Sequence, residues 1–202
     1  MAGWCQLNLL IIPVSKKVEP TMEGEDRLVE RAQHGEERAF EELVKHYQAP
    51  LYYLALRFVR DEQAAADLTQ TAFLRAFQGL PGFRQRSSLK TWLYRITINL
   101  CKNHLRDRAR KGLETSGEMD PPSPSNPLQE LIKHENRRRM VQAWEQLPEK
   151  QQLTVTLKIQ EEMKYHEIAE VLECTVGAVK ANFHHACKKL KAILQEGRDE
   201  MS

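Results

Sequence analysis

Disulfide and metal frameworks are missing from this chain. Its four cysteines, Cys5, Cys101, Cys174 and Cys187, have no framework spacing and form no CxxC pair. That argues against a stapled secreted fold and for reduced thiols in a cytosolic protein. His184, His185 and Cys187 lie near Cys174, which leaves a metal or redox site as the alternative, although the spacing matches no structural zinc pattern. Long hydrophobic runs are missing too. The apolar stretch LNLLIIPV at residues 7–14 falls far short of the ~20 residues a spanning helix needs, and no basic segment precedes it as in a signal peptide. Strand signals are nearly absent, because apolar residues recur at helical rather than alternating spacing. Catalytic patterns are equally scarce. There are no paired carboxylates in helical metal geometry, no glycine-rich phosphate loop and no nucleophile–base constellation. The acids between residues 23 and 62 read as solvated helix faces, so an enzyme is not expected.

What remains is a charged, helical chain of 202 residues, 41% hydrophobic and 29% charged, the balance of a soluble globular protein. A formal net charge of +2 says little about partners, but its distribution does. From Arg84 to Lys111 there are nine Lys or Arg against Asp107 alone; from Gly112 to Glu135 five acids face only Lys133. Such asymmetry hints at a nucleic-acid or membrane surface. Leu28, Ala32, Phe40, Leu43 and Val44 predict a helix or a helix pair broken at Gly35, and Tyr47, Leu51, Leu54 and Phe58 continue the pattern. A further helix is predicted over Ala64–Phe77, stopped by Gly79-Leu80-Pro81-Gly82. Pro121, Pro122, Pro124 and Pro127 mark a linker, after which Asn126 as N-cap, Pro127 at N1 and Gln129 at N3 open a second helical block. The fold expected is all-α: two small helical domains, residues 26–111 and 128–196, joined by a flexible, acidic, proline-rich linker at 112–127. Residues 1–25 form an N-terminal extension, either disordered or the product of a start upstream of Met22, and 197–202 a tail.

Three segments carry candidate chemistry. In KYHEIAEVLECTVGAVKANFHHACKKLKAIL, Ile168, Ala169 and Leu172 make one short apolar face, and Thr175 can cap a following helix. That helix has Val176, Val179, Phe183, Ala186 and Leu190 as its apolar stripe. The tight junction fits a helix-turn-helix, with small Ala169 where the helices approach. Its outward face carries Gly177, Ala178, Lys180, Ala181, Asn182, His185, Lys188 and Lys189, suited to a major groove with lysines near phosphates, or to an ordinary solvated hairpin. In SLKTWLYRITINLCKNHLRDRARK, Leu89, Leu93, Ile96 and Leu100 fall on a core side, whereas Thr91, Arg95, Asn99, Lys102 and Arg106 group elsewhere, bordered by Trp92 and Asn103. Arg84 and Arg86 lie in the preceding loop, which ends at the N-cap candidates Ser87 and Ser88. A basic track with an aromatic border suits single-stranded nucleic acid, where cations follow the backbone and bases stack on rings. Trp92 reads either as half-buried core or as such a ring, and Tyr94 as structural. On the preceding helix, Asp67, Gln70 and Thr71 lie within one turn beside Phe73 and Leu74, a mixed strip of the kind that meets a protein.

Together these segments are specific. DLTQTAFLRAFQGLPGFRQRSSLKTWLYRITINLCKNHLRDRARK resembles region 2 of bacterial sigma factors, and LPEKQQLTVTLKIQEEMKYHEIAEVLECTVGAVKANFHHACKKLKAIL resembles their region 4. With only the linker between them, the chain resembles the extracytoplasmic-function (ECF) group of the sigma-70 family from Asp26 to Leu194. That resemblance implies core RNA polymerase, through its largest and second-largest subunits, promoter DNA and an anti-sigma factor as partners, in the cytoplasm, with no cofactor, metal or small-molecule substrate. It implies that Asp67, Gln70, Thr71, Phe73 and Leu74 meet the coiled-coil clamp of the largest subunit. The loop Phe83, Arg84, Arg86, Ser87 and Ser88, with Lys90, Thr91 and Trp92, would capture a flipped base of the minus-ten element. Arg95, Asn99, Lys102, Asn103 and Arg106 would hold the melted strand. Thr175, Gly177, Ala178, Lys180, Ala181, Asn182, His185 and Lys188 would read the minus-thirty-five duplex, and the linker would run through the RNA exit channel. Departures from the family pattern are Thr71 in place of Glu, Glu173 in place of the turn Gly, and Asn182, His185 and Cys187 where Arg is common. The last three imply weaker phosphate anchoring. His184 and His185 read either as a pH-sensitive contact or as solvated surface. The rival to a sigma factor is a stand-alone helix-turn-helix regulator, which has no use for the first block.

Overall fold

The structure, a computed structural model, describes residues 24–111 and 142–199. The linker read at 112–127, the helix start at Asn126-Pro127 and residues 1–23 lie outside the described residues. The chain divides into two compact units, in the main residues 24–111 and 142–199, and every regular element described is helical.

The first unit has four α-helices: α1 (Glu25–Gln33), α2 (Glu37–Val59), α3 (Glu62–Gly79) and α4 (Leu89–Arg110), with a short 3-10 turn at Leu80–Gly82 after α3. The expected break at Gly35 is real: Gly35 takes φ +89 in the turn between α1 and α2. Helix α2 runs through Pro50 without stopping. Its buried residues Ala39, Leu43, Tyr47, Leu51, Leu54, Ala55, Leu56 and Val59 anchor it in the core, and that packing outweighs the lost N–H of the proline. At its end Arg60 enters the left-handed region at φ 50 and sends its N–H to the Leu56 carbonyl, 2.8 Å away. Asp61 then caps α3, its carboxylate accepting from the Ala64 N–H at 2.9 Å.

Helix α3 buries only small residues, Ala65, Thr69, Ala72 and Ala76, so α2 and α4 can both pack closely against it. Helix α4 departs from the expected stripe. Leu89, Leu93 and Leu100 are buried but Ile96 is only half-buried, and Tyr94, Thr97, Ile98 and Cys101 are buried in addition. The reason is position. It is flanked by both α2 and α3, so an amphipathic reading counts too few inward residues. Thr69 and Thr97 satisfy their buried hydroxyls on the carbonyls one turn back, Ala65 at 2.7 Å and Leu93 at 2.9 Å.

In the second unit, residues 142–145 are helical and are followed by α5 (Glu149–Val155), which runs into a π-helical turn over Thr156–Gln160. Two further helices follow, α6 (Tyr165–Leu172) and α7 (Val176–Asp199), the latter continuing into the segment read as a tail. Ala143, Leu147, Val155, Ala186 and Leu190 form a buried cluster, with Trp144, Ile159 and Phe183 packed on it. The Gln152 amide closes the first turn by donating to the carbonyls of Trp144 at 2.9 Å and Leu147 at 3.0 Å.

Candidate nucleic-acid interface

On α3, the exposed residues Asp67 and Gln70 share a face with Leu74, 57% exposed, and Phe77, 50% exposed. Phe73 and Thr71 are half-buried beside them. The Gln63 amide donates to the Asp67 carboxylate at 3.1 Å, and the Thr71 hydroxyl to the Asp67 carbonyl at 2.8 Å. Phe77 was not singled out in the sequence, yet it lies three residues beyond Leu74 and seven beyond Gln70, the spacing of one helical face. Its ring meets Phe40 of α2 edge-on at 5.0 Å, extending the apolar part of the patch across two helices. Two large apolar side chains left in water beside a carboxylate and an amide suit a protein partner.

The loop between α3 and α4 is built by contacts from both sides. The Phe83 N–H closes the 3-10 turn on the Leu80 carbonyl at 3.0 Å. From α1, the Gln33 amide donates to the carbonyls of Leu80 at 3.0 Å and Phe83 at 2.7 Å. Nothing in the sequence pattern marked Gln33, because its partners lie 47 and 50 residues away. Arg84 and Arg86 are exposed, Gln85 between them adopts φ +52, and Ser87 is half-buried. Ser88 is the N-cap of α4, its hydroxyl oxygen accepting from the Thr91 N–H at 3.1 Å.

Thr91 is corrected by that cap. It is 1% exposed and its hydroxyl bonds that of Ser88 at 2.8 Å, so it belongs to the helix start and not to the surface track. Trp92 is half-buried. Its ring stacks on Phe83 with centroids 4.8 Å apart and planes at 27°, and it lies so close to Gly79 that a Cβ there would sit 3.1 Å from it. The ring therefore pillars the junction of α3, loop and α4, with Phe83 against one face. Lys90 lies over the Tyr94 ring, 5.4 Å from its centroid. Further along, Arg95, Asn99, Lys102 and Arg106 follow one side of α4 at spacings of four, three and four, half-buried until Arg106, which is exposed like neighbouring Asn103. Arg108 turns instead to Asp61, 3.6 Å away.

The second unit supplies the tight junction expected. Glu167 accepts from the Lys164 N–H at 2.6 Å and caps the start of α6. Glu173 ends that helix in the left-handed region at φ 54, its N–H on the Ala169 carbonyl, which also accepts from the Cys174 N–H at 3.0 Å. A side chain in that conformation is strained, so Glu173 costs stability where the resemblance implies glycine. Thr175 caps α7 as predicted, accepting from the Ala178 N–H at 3.2 Å. Val176, expected in the apolar stripe, is instead 39% exposed; it is the first residue of α7 and precedes the buried stripe, which begins at Val179. Gly177, Lys180, Ala181, His185 and Lys188 are exposed, and Ala178 and Asn182 half-buried, along the outward side. A Cβ at Gly177 would meet only the Thr175 hydroxyl at 3.9 Å, so packing within the chain does not demand glycine. Lys180 and Lys158 flank the Tyr165 ring at 5.9 and 4.9 Å. Lys189 departs from the expected phosphate-facing group: its ammonium donates to the Gln146 carbonyl at 2.6 Å and ties α7 to the preceding turn.

Among the described residues no group of three His, Cys, Asp or Glu is placed to hold a metal ion, and no helix is long and apolar enough to cross a membrane. Burial pushes the Cys101 thiol up to about 12 and raises that of Cys187, whereas Cys174 is exposed at the helix-turn-helix junction.

Known proteins share this arrangement. The family model "Sigma-70 region 2" matches residues 43–111, and "Sigma-70, region 4" matches residues 137–190. The RNA polymerase sigma-H factor of Pseudomonas aeruginosa is 36% identical over 185 residues, covering 87% of this chain and 96% of that protein. The ECF RNA polymerase sigma-E factor of Escherichia coli K12 is 33% identical over 171 residues, covering 79% and 88%. Among solved structures, CnrH in complex with the cytosolic domain of CnrY aligns with a TM-score of 0.61 at 25% identity, over 84% of this chain and 96% of that one. The sigma factor RpoE of Bartonella quintana, solved with the anti-sigma factor NepR, shares the fold with a TM-score of 0.63 at 23% identity, over 77% and 96%. Helix α1 and its Gln33 precede the region 2 match. With both regions present in order and relatives matched over most of their length, the chain belongs to the ECF group of the sigma-70 family of RNA polymerase sigma factors.

Proposed function

We propose that this protein binds core RNA polymerase and directs promoter-specific transcription initiation, the first unit opening the minus-ten element and the second reading the minus-thirty-five element. The observation that carries this is the pairing, within the first unit, of two different surfaces: an apolar–acidic face on α3 and a basic loop and helix track beginning at Phe83. Asp67, Gln70, Thr71, Phe73 and Leu74, joined by Phe77, dock on the largest polymerase subunit. Arg84, Arg86 and Ser87 receive a base drawn out of the stack, whose unstacking costs a few kcal/mol that the pocket must offset. Arg95, Asn99, Lys102, Asn103 and Arg106 hold the strand. Trp92 and Ser88 shape the pocket more than they line it.

In the second unit the outward side of the start of α7, Gly177, Ala178, Lys180, Ala181 and Asn182 with the cap Thr175, enters the major groove, with Lys180 and Lys188 at phosphates. Residues 26–111 and 128–196 act as the two domains, 112–127 as their linker. The protein works in the cytoplasm, catalyses nothing itself, and is held inactive by an anti-sigma factor, as the complex of RpoE with the anti-sigma factor NepR suggests. A stand-alone regulator is disfavoured because the first unit would then have no task. Run-off transcription with purified core enzyme tests this. A discrete start site dependent on the chain is expected; the absence of any promoter-dependent start on genomic fragments would refute it.

A further inference from the structure

Gln33, the last residue of α1, spends its side-chain nitrogen on two backbone carbonyls, those of Leu80 and Phe83, at 3.0 and 2.7 Å. These carbonyls bracket the 3-10 turn and deliver the chain into the Phe83–Ser88 loop. A residue used only to pack α1 needs no such fork, because α1 already rests on Leu28, Val29 and Ala32. Phe83 is thus gripped twice, by Gln33 through its backbone and by Trp92 through its ring at 4.8 Å. Beyond it Arg84, Gln85 and Arg86 are exposed, with Gln85 in the left-handed region.

We infer that Gln33 is a positioning residue for promoter-base selection: it fixes the loop in advance and so sets where Arg84 and Arg86 meet a captured base. It acts through Phe83, and it lies outside the region 2 match, which begins at residue 43. A loop already held in its binding geometry loses less entropy when a base arrives, and discriminates better, than one ordered by the base itself. The inference rests on reading Phe83–Ser88 as the base-capturing segment.

The test uses the full chain assembled with core polymerase and, as probe, single-stranded DNA with six randomised nucleotides. Gln33→Met keeps the length and apolar stem but removes both donors; Gln33→Glu sets carboxylate oxygens against the two carbonyls. Wild type is expected to enrich particular bases. Both variants should bind core as wild type does while losing about tenfold of that preference, the worth of two neutral hydrogen bonds. Preference retained in both variants overturns the inference. So does a parallel fall of core affinity, thermal midpoint and preference, which would make Gln33 a brace only. Arg84→Ala separates the two readings: if it leaves the wild-type preference intact, the loop assignment itself fails. If wild type enriches no base, the promoter reading fails and this inference with it.

Discussion

In the first unit the loop at residues 83–88 is held by Gln33 from 47 and 50 positions away and by Trp92 across the loop, while Asp61 restrains Arg108 between α3 and α4. In the second unit the bonds that shape the turn of the helix-turn-helix are local: Glu167 to Lys164, Cys174 to Ala169, Thr175 to Ala178. One surface is assembled by tertiary structure and the other by capping chemistry. A surface of the first kind depends on the whole helical bundle, so core damage should reach it. A surface of the second kind should answer to single caps.

The largest expected effect is therefore in the first core. Leu51 is fully buried, and Leu51→Ala should cost about 2–5 kcal/mol. Urea unfolding followed by Trp92 fluorescence, in a background lacking the other two tryptophans, reads this directly. The same variant monitored through Trp144 alone should leave the second unit's transition in place; coincident shifts of both would break the comparison.

Smaller effects should come from the caps. Thr175→Ala should destabilise the second unit by about 1 kcal/mol through the lost Ala178 bond. Glu173→Gly should stabilise it by about 1 kcal/mol by releasing left-handed strain. Both are measured in urea through Trp144. A stabilising Thr175→Ala would mean that the turn is not held locally.

The smallest test alters no residue. At neutral pH, alkylation should label exposed Cys174 rapidly and Cys101 last, since burial keeps the Cys101 thiol protonated with its pKa near 12. Mass spectrometry of timed samples gives the order, and early labelling of Cys101 would show that the first core opens readily.

The same contrast explains how much could be read from sequence. Thr175, the turn before it and the stripe Val179, Phe183, Ala186 and Leu190 were legible because caps and periodicity act within a few residues. The helices of the first unit were legible for the same reason, and the stop at Gly79–Gly82 marked the end of α3. What escaped was non-local. Gln33 looks like any surface glutamine until its partners are known. Thr91 has the angular position of the basic track, and its burial and its bond to Ser88 remove it. Lys189 reads as a solvent lysine, yet it spans 43 residues to the Gln146 carbonyl. Tyr94 was read as structural and is buried, but Ile96 was overcounted, and Ile98 and Cys101 undercounted as core, because periodicity assumes one buried face and α4 has two neighbours.

The central claim is that the first unit keeps polymerase docking and strand holding on separate faces. Paired assays on Asp67→Ala and Arg95→Ala test it most directly, with core capture measured by pull-down and promoter opening by permanganate reactivity of unpaired thymines. Arg95→Ala should capture core like the parent and lose about tenfold in opening, the worth of one charged contact. Asp67→Ala should lose core capture and regain full opening when core is supplied in excess. Equal loss of both activities in both variants would contradict the account.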